Sequence, residues 1–487
     1  MSAPLAGSDD ISDRSFHLLL GLSVALGFLL RSAFFVGFYG YDDFAYAHTA
    51  INLLHGDFHL LTESPRYVWR FFVTVPTALS YRLFGINQFS SVLFPFLCSL
   101  GNIVLIGLIG KNLFHRRAGA MASFLCAFFP MNVLYGTMLF PEETFSFFTG
   151  LAVWLFLSSE GGSLSPRAGQ WLTGLAVVLS YLSRETGLFL LPLFWVFLRR
   201  KFSREHVRLA LPAVIYLLVE SFVAYHTTGD FFHHYHAAQA DCAQQALIGL
   251  NQHGFFTYLG AVFGGNLYGL SHFGFFYFVF AAALVFFART GRLREIGFPL
   301  VWFLVFASYY QFGVVGFSPF LPVPKMFRYL CILTFPVLLM SSAFLTSPDV
   351  RQKSRGTAPG ILLFLFLTSL TGTFLASRKH RAYFSLEGGP AKYGSFAEAI
   401  ERRSPEIVGV PNLSWKYRMK YFLARRGEET GRIPVVVVRI PADLSGRDGV
   451  LLVTNTPSPA NDFSFCKIIL RHQQDLLLDC DTTQDPT

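Results

Sequence analysis

Charge is what this 487-residue chain has least of: Asp, Glu, Lys and Arg together make up 14% of it, against roughly a quarter in soluble globular domains. That shortage excludes an ordinary water-soluble fold. Cysteine is sparse too, six residues with no Cys-x-x-Cys spacing, so no thiolate metal site can be read from the sequence. The first apolar run has no small-residue cleavage site after it and Asp9, Asp10 and Asp13 before it, so it reads as an uncleaved signal anchor. There is no low-complexity tract and no internal repeat of the transporter kind. The net charge of +9 is carried by short basic clusters between apolar runs, a positive-inside pattern that argues against nucleic acid as a partner.

What is abundant is apolar: 53% hydrophobic and 17% aromatic residues, with 56 Phe. The first run, 16–38, is about 23 residues long and reaches across a bilayer core of about 30 Å. Further runs near 89–110, 118–135, 144–158, 170–183, 187–198, 207–225, 270–288, 296–312, 329–345 and 359–376 predict about eleven transmembrane helices. Between the first two, segments 44–54 and 67–83 predict amphipathic helices lying in the outer interface. From about 377 the chain carries more charge, and short β-type runs at 407–410, 435–440, 450–454 and 467–470 alternate with helical patterns at 395–403 and 415–425. The predicted fold is therefore an all-α polytopic membrane protein, residues 1–376, followed by a small α/β soluble domain, residues 377–487.

The basic clusters Lys111-His115-Arg116-Arg117, Arg199-Arg200-Lys201-Arg204, Arg289-Arg292-Arg294 and Arg351-Lys353-Arg355 fall on alternate connections and mark the cytoplasmic side of a plasma (inner) membrane. The opposite connections then hold the unusual polar residues, and an odd number of spans sends the C-terminal domain outside. Exported with it, Cys466 and Cys480 could pair; sequence alone does not give the distance between them.

Chief among the outer-face residues are Asp42 and Asp43, in Gly40-Tyr41-Asp42-Asp43-Phe44 just beyond the first run. Carboxylates at a membrane boundary are functional candidates, and either could remove a proton from an acceptor hydroxyl or amine as a sugar leaves its carrier. Nearby Tyr46 suits an interfacial belt or a sugar face. Glu142 and Glu143 follow Phe140-Pro141 in a short outer turn and could hold an acceptor, a catalytic water or a metal. With Asp42 and Asp43 they would offer hard oxygen ligands for Mg²⁺, Mn²⁺ or Ca²⁺. Arg184 and Glu185 interrupt two half-length apolar blocks, as a turn lining a cavity below the outer surface would. Lys325 and Arg328, with Tyr329 beside them, open a span at its outer end and suit a lipid phosphate, as do Arg66 and Arg70. The histidines His233, His234 and His236 read as an exposed loop, and Arg31, inside the first run, as a snorkelling side chain.

In their order, spacing and common side these motifs resemble the GT-C superfamily of integral membrane glycosyltransferases, over roughly residues 16–345. Within it the resemblance is to the branch holding protein O-mannosyltransferases, lipid A aminoarabinose transferase and bacterial core galacturonosyltransferases. It rests on Asp42-Asp43-Phe44-Ala45-Tyr46, Leu53-Leu54-His55-Gly56-Asp57-Phe58, Pro65-Arg66-Tyr67-Val68-Trp69, Phe140-Pro141-Glu142-Glu143, Ser183-Arg184-Glu185-Thr186-Gly187 and Arg328-Tyr329. The chain departs from it in carrying Asp43 where Glu is commoner, Gln88-Phe89-Ser90 where a basic residue is often found, and Pro65-Arg66-Tyr67 in place of a Lys-Pro-Pro run. The resemblance implies transfer of a sugar, with inversion, from a polyprenyl-phosphate carrier to a lipid, glycan or protein acceptor outside the membrane. Asp42 would be the base, and Arg66, Lys325 and Arg328 would hold the carrier phosphate. The readings from other classes are a transporter or lipid flippase, and an envelope polysaccharide polymerase or ligase.

Overall fold

The computed structural model describes residues 10–57, 65–198, 204–247, 257–263, 267–317, 320–353, 357–386, 389–405, 407–411, 413–427, 431–437, 450–454, 467–472 and 475–479. In chain order the helices are α1 (Asp13–Ala33), α2 (Tyr41–His55), α3 (Pro65–Trp69), α4 (Phe71–Phe84), α5 (Gln88–Leu113), α6 (Arg116–Phe128), α7 (Pro130–Tyr135) and α8 (Pro141–Glu160). They continue as α9 (Pro166–Ser183), α10 (Leu190–Phe197), α11 (Arg204–Thr228), α12 (His233–Leu247), α13 (Thr257–Val262), α14 (Leu267–Phe273), α15 (Phe276–Arg289) and α16 (Gly297–Phe312). The last are α17 (Thr334–Thr346), α18 (Pro348–Lys353), α19 (Thr357–Leu386), α20 (Gly389–Arg403) and α21 (Leu413–Ala424). Three 3-10 turns, Glu185–Phe189, Leu293–Ile296 and Phe327–Leu333, lead into α10, α16 and α17.

Local sequence sets several of these boundaries. Ser12 caps α1, its hydroxyl accepting from Ser15 N at 3.1 Å, and Asp13 in the first turn complements the helix dipole. Pro130 and Pro141 begin α7 and α8, and each forces the residue before it, Phe129 or Phe140, into extended backbone. Along α1 the buried positions are Phe16, Leu20, Ser23, Gly27 and Arg31, one helical face. Leu18, Leu22 and Leu29 on the other face are exposed.

Each apolar run expected from the sequence falls on helix. Five of the described helices are long and apolar enough to cross a membrane: Asp13–Ala33, Gln88–Leu113, Arg204–Thr228, Phe327–Thr346 and Pro359–Ala382. The protein is a multi-pass membrane protein. The other runs are interrupted or short, as where Pro130 divides α6 from α7, or are buried within the protein, as along α8. Two expectations change. The first run leaves helical geometry after Ala33, and Gly37, at φ +80°, turns the chain ahead of α2. The histidines His233, His234 and His236, read as part of an exposed loop, lie on helix α12. Cys466 and Cys480 lie outside the described residues.

The chain packs as two compact units. The first comprises residues 1–36, 60–73 and 94–378. Its helix pairs α8–α9, α1–α6, α11–α9 and α17–α6 form the main contacts. Gly119 lets α6 approach α5, since a Cβ there would stand 2.3 Å from the Gly107 carbonyl oxygen. This unit also carries a small antiparallel ribbon, β1 (Val314–Phe317) with β2 (Phe320–Pro322).

The second unit comprises residues 37–59, 74–93 and 379–487. Its sheet has β3 (Ile407–Val410), β4 (Val435–Val437), β5 (Val450–Thr454), β6 (Lys467–His472) and β7 (Asp475–Asp479) in the order β4-β3-β5-β7-β6. Strand β3 runs parallel to β4 and β5, while β7 is antiparallel to β5 and β6. The parallel centre explains why β3 reads as an unbroken apolar run and is buried throughout. Helix α21 covers β3 and β4 and also packs on α2, where Tyr421 meets Phe38 and Phe44 edge-on.

Candidate active site

In the first unit the charged residues singled out by sequence gather on a few buried partners. Pro141 starts α8, which puts Glu142 and Glu143 in its first turn, where amide groups and the helix dipole favour carboxylates. Both side chains are buried, so neither belongs to a solvated turn. Oε1 of Glu142 accepts from Arg184 Nη1 at 3.1 Å and lies 3.5 Å from Arg328 Nε. The Arg184 guanidinium stands 3.7 Å from the centre of the Tyr329 ring, and that of Arg328 stands 4.8 Å from the Phe140 ring. Two guanidinium groups thus share one carboxylate among aromatic faces.

Arg184 reaches this position because α9 ends sharply. Its backbone is extended and begins the turn Glu185–Phe189, whose Gly187 packs against the end of α9. A Cβ on Gly187 would stand 2.5 Å from Tyr181 N. The next residue, Glu185, takes a forked bond from Arg70, with Nε and Nη2 3.2 Å from Oε1 and Nη2 3.1 Å from Oε2. Tyr181 donates to Glu220 Oε1 at 2.9 Å, and His234 Nδ1 lies 2.7 Å from the same oxygen. His234 Nε2 is 3.5 Å from Glu185, and the ring stacks on Trp69. Burial pushes the His234 pKa down, but the carboxylates of Glu185 and Glu220 outweigh it and raise the value to about 9. His234 thus lies buried between two carboxylates that favour its protonated form. The exposed-loop reading fails for His234, which α12 turns inward, while His236 on the same helix is exposed.

Arg70, Arg184, Glu185, Glu220 and His234 line one cavity of about 470 Å³, walled elsewhere by Tyr309, Tyr310, Leu188, Leu217, Val315 and Phe232. One part of its wall is charged and the rest is apolar or aromatic. Lys325 is directed elsewhere, its Nζ donating to the Gln311 carbonyl at 2.7 Å and lying 5.6 Å from the Tyr258 ring. The Arg66 side chain lies outside the described residues.

In the second unit Asp43 is buried at the start of α2. Its carboxylate accepts from the backbone of Tyr39, from Gly40 N at 3.1 and 3.2 Å, and from Phe44 N at 2.9 Å. Burial pushes its pKa up to about 6, against the lowering effect of these amides. Asp42 is half-buried and Tyr46 fully buried. Among the described residues no group of three or more His, Cys, Asp or Glu side chains is placed to hold a metal ion.

Sequence reasoning missed Glu220, Tyr181 and the inward His234. Glu220 had a signal, a lone acid inside an apolar run, which in a membrane helix marks a partner or a cavity. Arg31 was misread: it is fully buried and bonded to Ser99, Gly27 and Ala127 rather than snorkelling.

A family profile described as dolichyl-phosphate-mannose-protein mannosyltransferase matches residues 72–238. No curated protein matches the chain by sequence. Among solved structures the chain resembles ArnT from Cupriavidus metallidurans in its apo state, at 15% identity and a TM-score of 0.62, over 95% of this chain and 97% of that one. It also resembles ArnT bound to undecaprenyl phosphate, at 14% identity and a TM-score of 0.65, over 98% and 100%. The oligosaccharyltransferase AglB of Archaeoglobus fulgidus, in complex with an inhibitory peptide and a dolichol-phosphate, matches at 14% identity and a TM-score of 0.52, over 86% of this chain and 64% of that one. At such identities the likeness is one of fold.

Proposed function

We propose that this chain is a member of the GT-C superfamily of integral membrane glycosyltransferases, whose fold it resembles, and that it moves a sugar from a polyprenyl-phosphate carrier to an acceptor on the outer face of the plasma membrane. The observation that carries this reading is the cluster of Arg184 and Arg328 on the single carboxylate of Glu142. A phosphodiester-linked sugar carries one negative charge on its phosphate, and the leaving polyprenyl phosphate gains a second as the bond from the anomeric carbon to phosphate oxygen breaks. Fixed guanidinium groups in a site shielded from water bind the developing charge more strongly than the initial one, which lowers the barrier. The cavity's apolar wall suits an isoprenoid chain and its charged wall a sugar phosphate. Undecaprenyl phosphate bound to ArnT supports the same assignment.

The acceptor oxygen or nitrogen attacks the anomeric carbon from the face opposite the phosphate, so the configuration inverts, and its proton passes to a carboxylate. We assign that base to Asp42. Asp43 uses both carboxylate oxygens on the backbone amides that start α2. In this reading residues 377–487 form an extracytoplasmic α/β domain, Tyr46 and Tyr329 serve the substrate side, and Arg66 and Lys325 are further candidates for the carrier. The test is mass spectrometry of envelope lipids, glycans and glycoproteins from cells with the chain, without it, and with Asp42→Asn. Loss of one glycosylated species in the last two is expected. A pattern unchanged by deletion, or a fully active Asp42→Asn, overturns the proposal.

A further inference from the structure

Arg31 and Glu143 take no part in the mechanism above, and both are fully buried. Arg31 lies in the last turn of α1, on its inward face. Its Nε donates to Ser99 Oγ at 2.5 Å, and its Nη1 donates to the carbonyls of Gly27 and Ala127 at 3.1 Å each. Its Nη2 has no hydrogen-bond partner among the described residues. The guanidinium can fold back along the helix because position 27 is glycine: a Cβ there would stand 3.0 Å from Arg31 Nη1 and 2.3 Å from Ile103 Cδ1.

Glu143 faces the same interior from α8. Its Oε2 accepts from Asn102 Nδ2 at 2.8 Å and lies 3.5 Å from Asn132 Nδ2, whereas Oε1 has no partner among the described residues. Carbonyls, amides and a hydroxyl solvate a charge but do not neutralise it, and a lone charge this deep in an apolar bundle is costly. The two are joined by a short relay: Ser99 Oγ, which accepts from Arg31, donates to the Asn132 carbonyl at 3.2 Å, and Asn132 Nδ2 lies 3.5 Å from Glu143 Oε2, so the opposite charges attract across a single residue.

We infer that Arg31 is a positioning residue, which neutralises Glu143 and thereby fixes the first turn of α8, where Glu142 gathers Arg184 and Arg328. The network continues from Glu143 through Asn132, whose Oδ1 accepts from Thr334 Oγ1 at 3.0 Å. Thr334 begins α17, directly after the turn Phe327–Leu333 that carries Arg328. One buried charge pair therefore supports both elements that present the proposed phosphate site. This inference rests on the proposed function for what the site binds, though not for the existence of the pair.

The test uses the full chain in lipid nanodiscs as wild type, Arg31→Gln, Glu143→Gln and the double variant, with two readouts: melting temperature and affinity for undecaprenyl phosphate. Each single change strands a buried charge and is expected to lower melting by about 5 °C or more and affinity by about tenfold. The double change strands none and is expected to recover most of both. If a single variant fails to fold, recovered expression of the double variant reports the same coupling. Losses that simply add in the double variant overturn the pair. Singles that melt early but bind with wild-type affinity overturn the positioning role. Wild type that does not bind undecaprenyl phosphate overturns the functional reading, while the melting coupling still decides the pair.

Discussion

Two acidic doublets, Asp42-Asp43 at the start of α2 and Glu142-Glu143 at the start of α8, look alike in sequence and are used differently. Successive helical residues point about 100° apart, so neighbours in a first turn cannot share a task. In α2 the second acid is committed locally: Asp43 binds backbone amides no more than four residues away. In α8 the second acid is committed at long range, to asparagines 41 and 11 residues away in sequence. Asp42 is half-buried, and Glu142 is buried under two arginines. In both doublets it is the second acid that hydrogen bonds hold at the helix start.

The sharpest way to break this comparison is to neutralise the α2 acids one at a time. Asp42→Asn is expected to reduce sugar transfer by about 10²- to 10⁴-fold, as loss of a general base does. Asp43→Asn weakens a helix start, costs about 1 kcal/mol in denaturation, and keeps measurable transfer. Equal losses in a labelled-sugar assay would end the division of labour.

Next in size is Arg184→Gln, which takes one guanidinium from Glu142 and is expected to raise the donor KM about tenfold or more, the worth of one charge-assisted hydrogen bond. An unchanged donor KM would remove the cluster from the carrier site.

A smaller effect is expected with pH. The folded-state pKa of His234 is raised to about 9, above the ordinary value near 6.5. Its contribution to stability is therefore fully present below about pH 6.5 and is lost as pH rises through about 9. Melting curves should fall across that window in the wild type and less so in His234→Gln. Equal slopes would show that the histidine carries no charge between Glu185 and Glu220.

The smallest effect belongs to a helix start without an acid doublet. Ser12 caps α1 through Ser15 N, so Ser12→Ala should cost about 1 kcal/mol and leave transfer unchanged. A loss of transfer there would mean that any helix start, acidic or not, affects the reaction.

Much of the layout was legible because it follows from local rules. The apolar runs became helices, and Pro130 and Pro141 divided them where proline must. The runs at 407–410 and 450–454 became strands of one sheet. The membrane class and the family resemblance rested on the same kind of signal, and the fold agrees with both. What failed was direction. Arg31 was expected to reach outward and His234 to lie in an exposed loop, yet each faces inward. For Arg31 the pattern was present: positions 16, 20, 23, 27 and 31 trace one face of α1, and the arginine shares it with Phe16 and Leu20. For His234 no local pattern would have served, because its partners Glu185 and Glu220 and its stacking ring Trp69 come from distant segments.

By itself, then, the sequence determined the class of the protein, the positions of most helices and the short set of polar residues worth examining. Hydrophobic periodicity, proline stereochemistry and helix-end electrostatics act over a few residues and can be read along the chain. Only the tertiary structure decided which charges meet: Arg184 with Glu142, Arg70 with Glu185 and His234 with Glu220. The physical reason is that a buried charge must find its counter-charge in space, and in a bundle of helices that partner is set by packing rather than by distance along the chain.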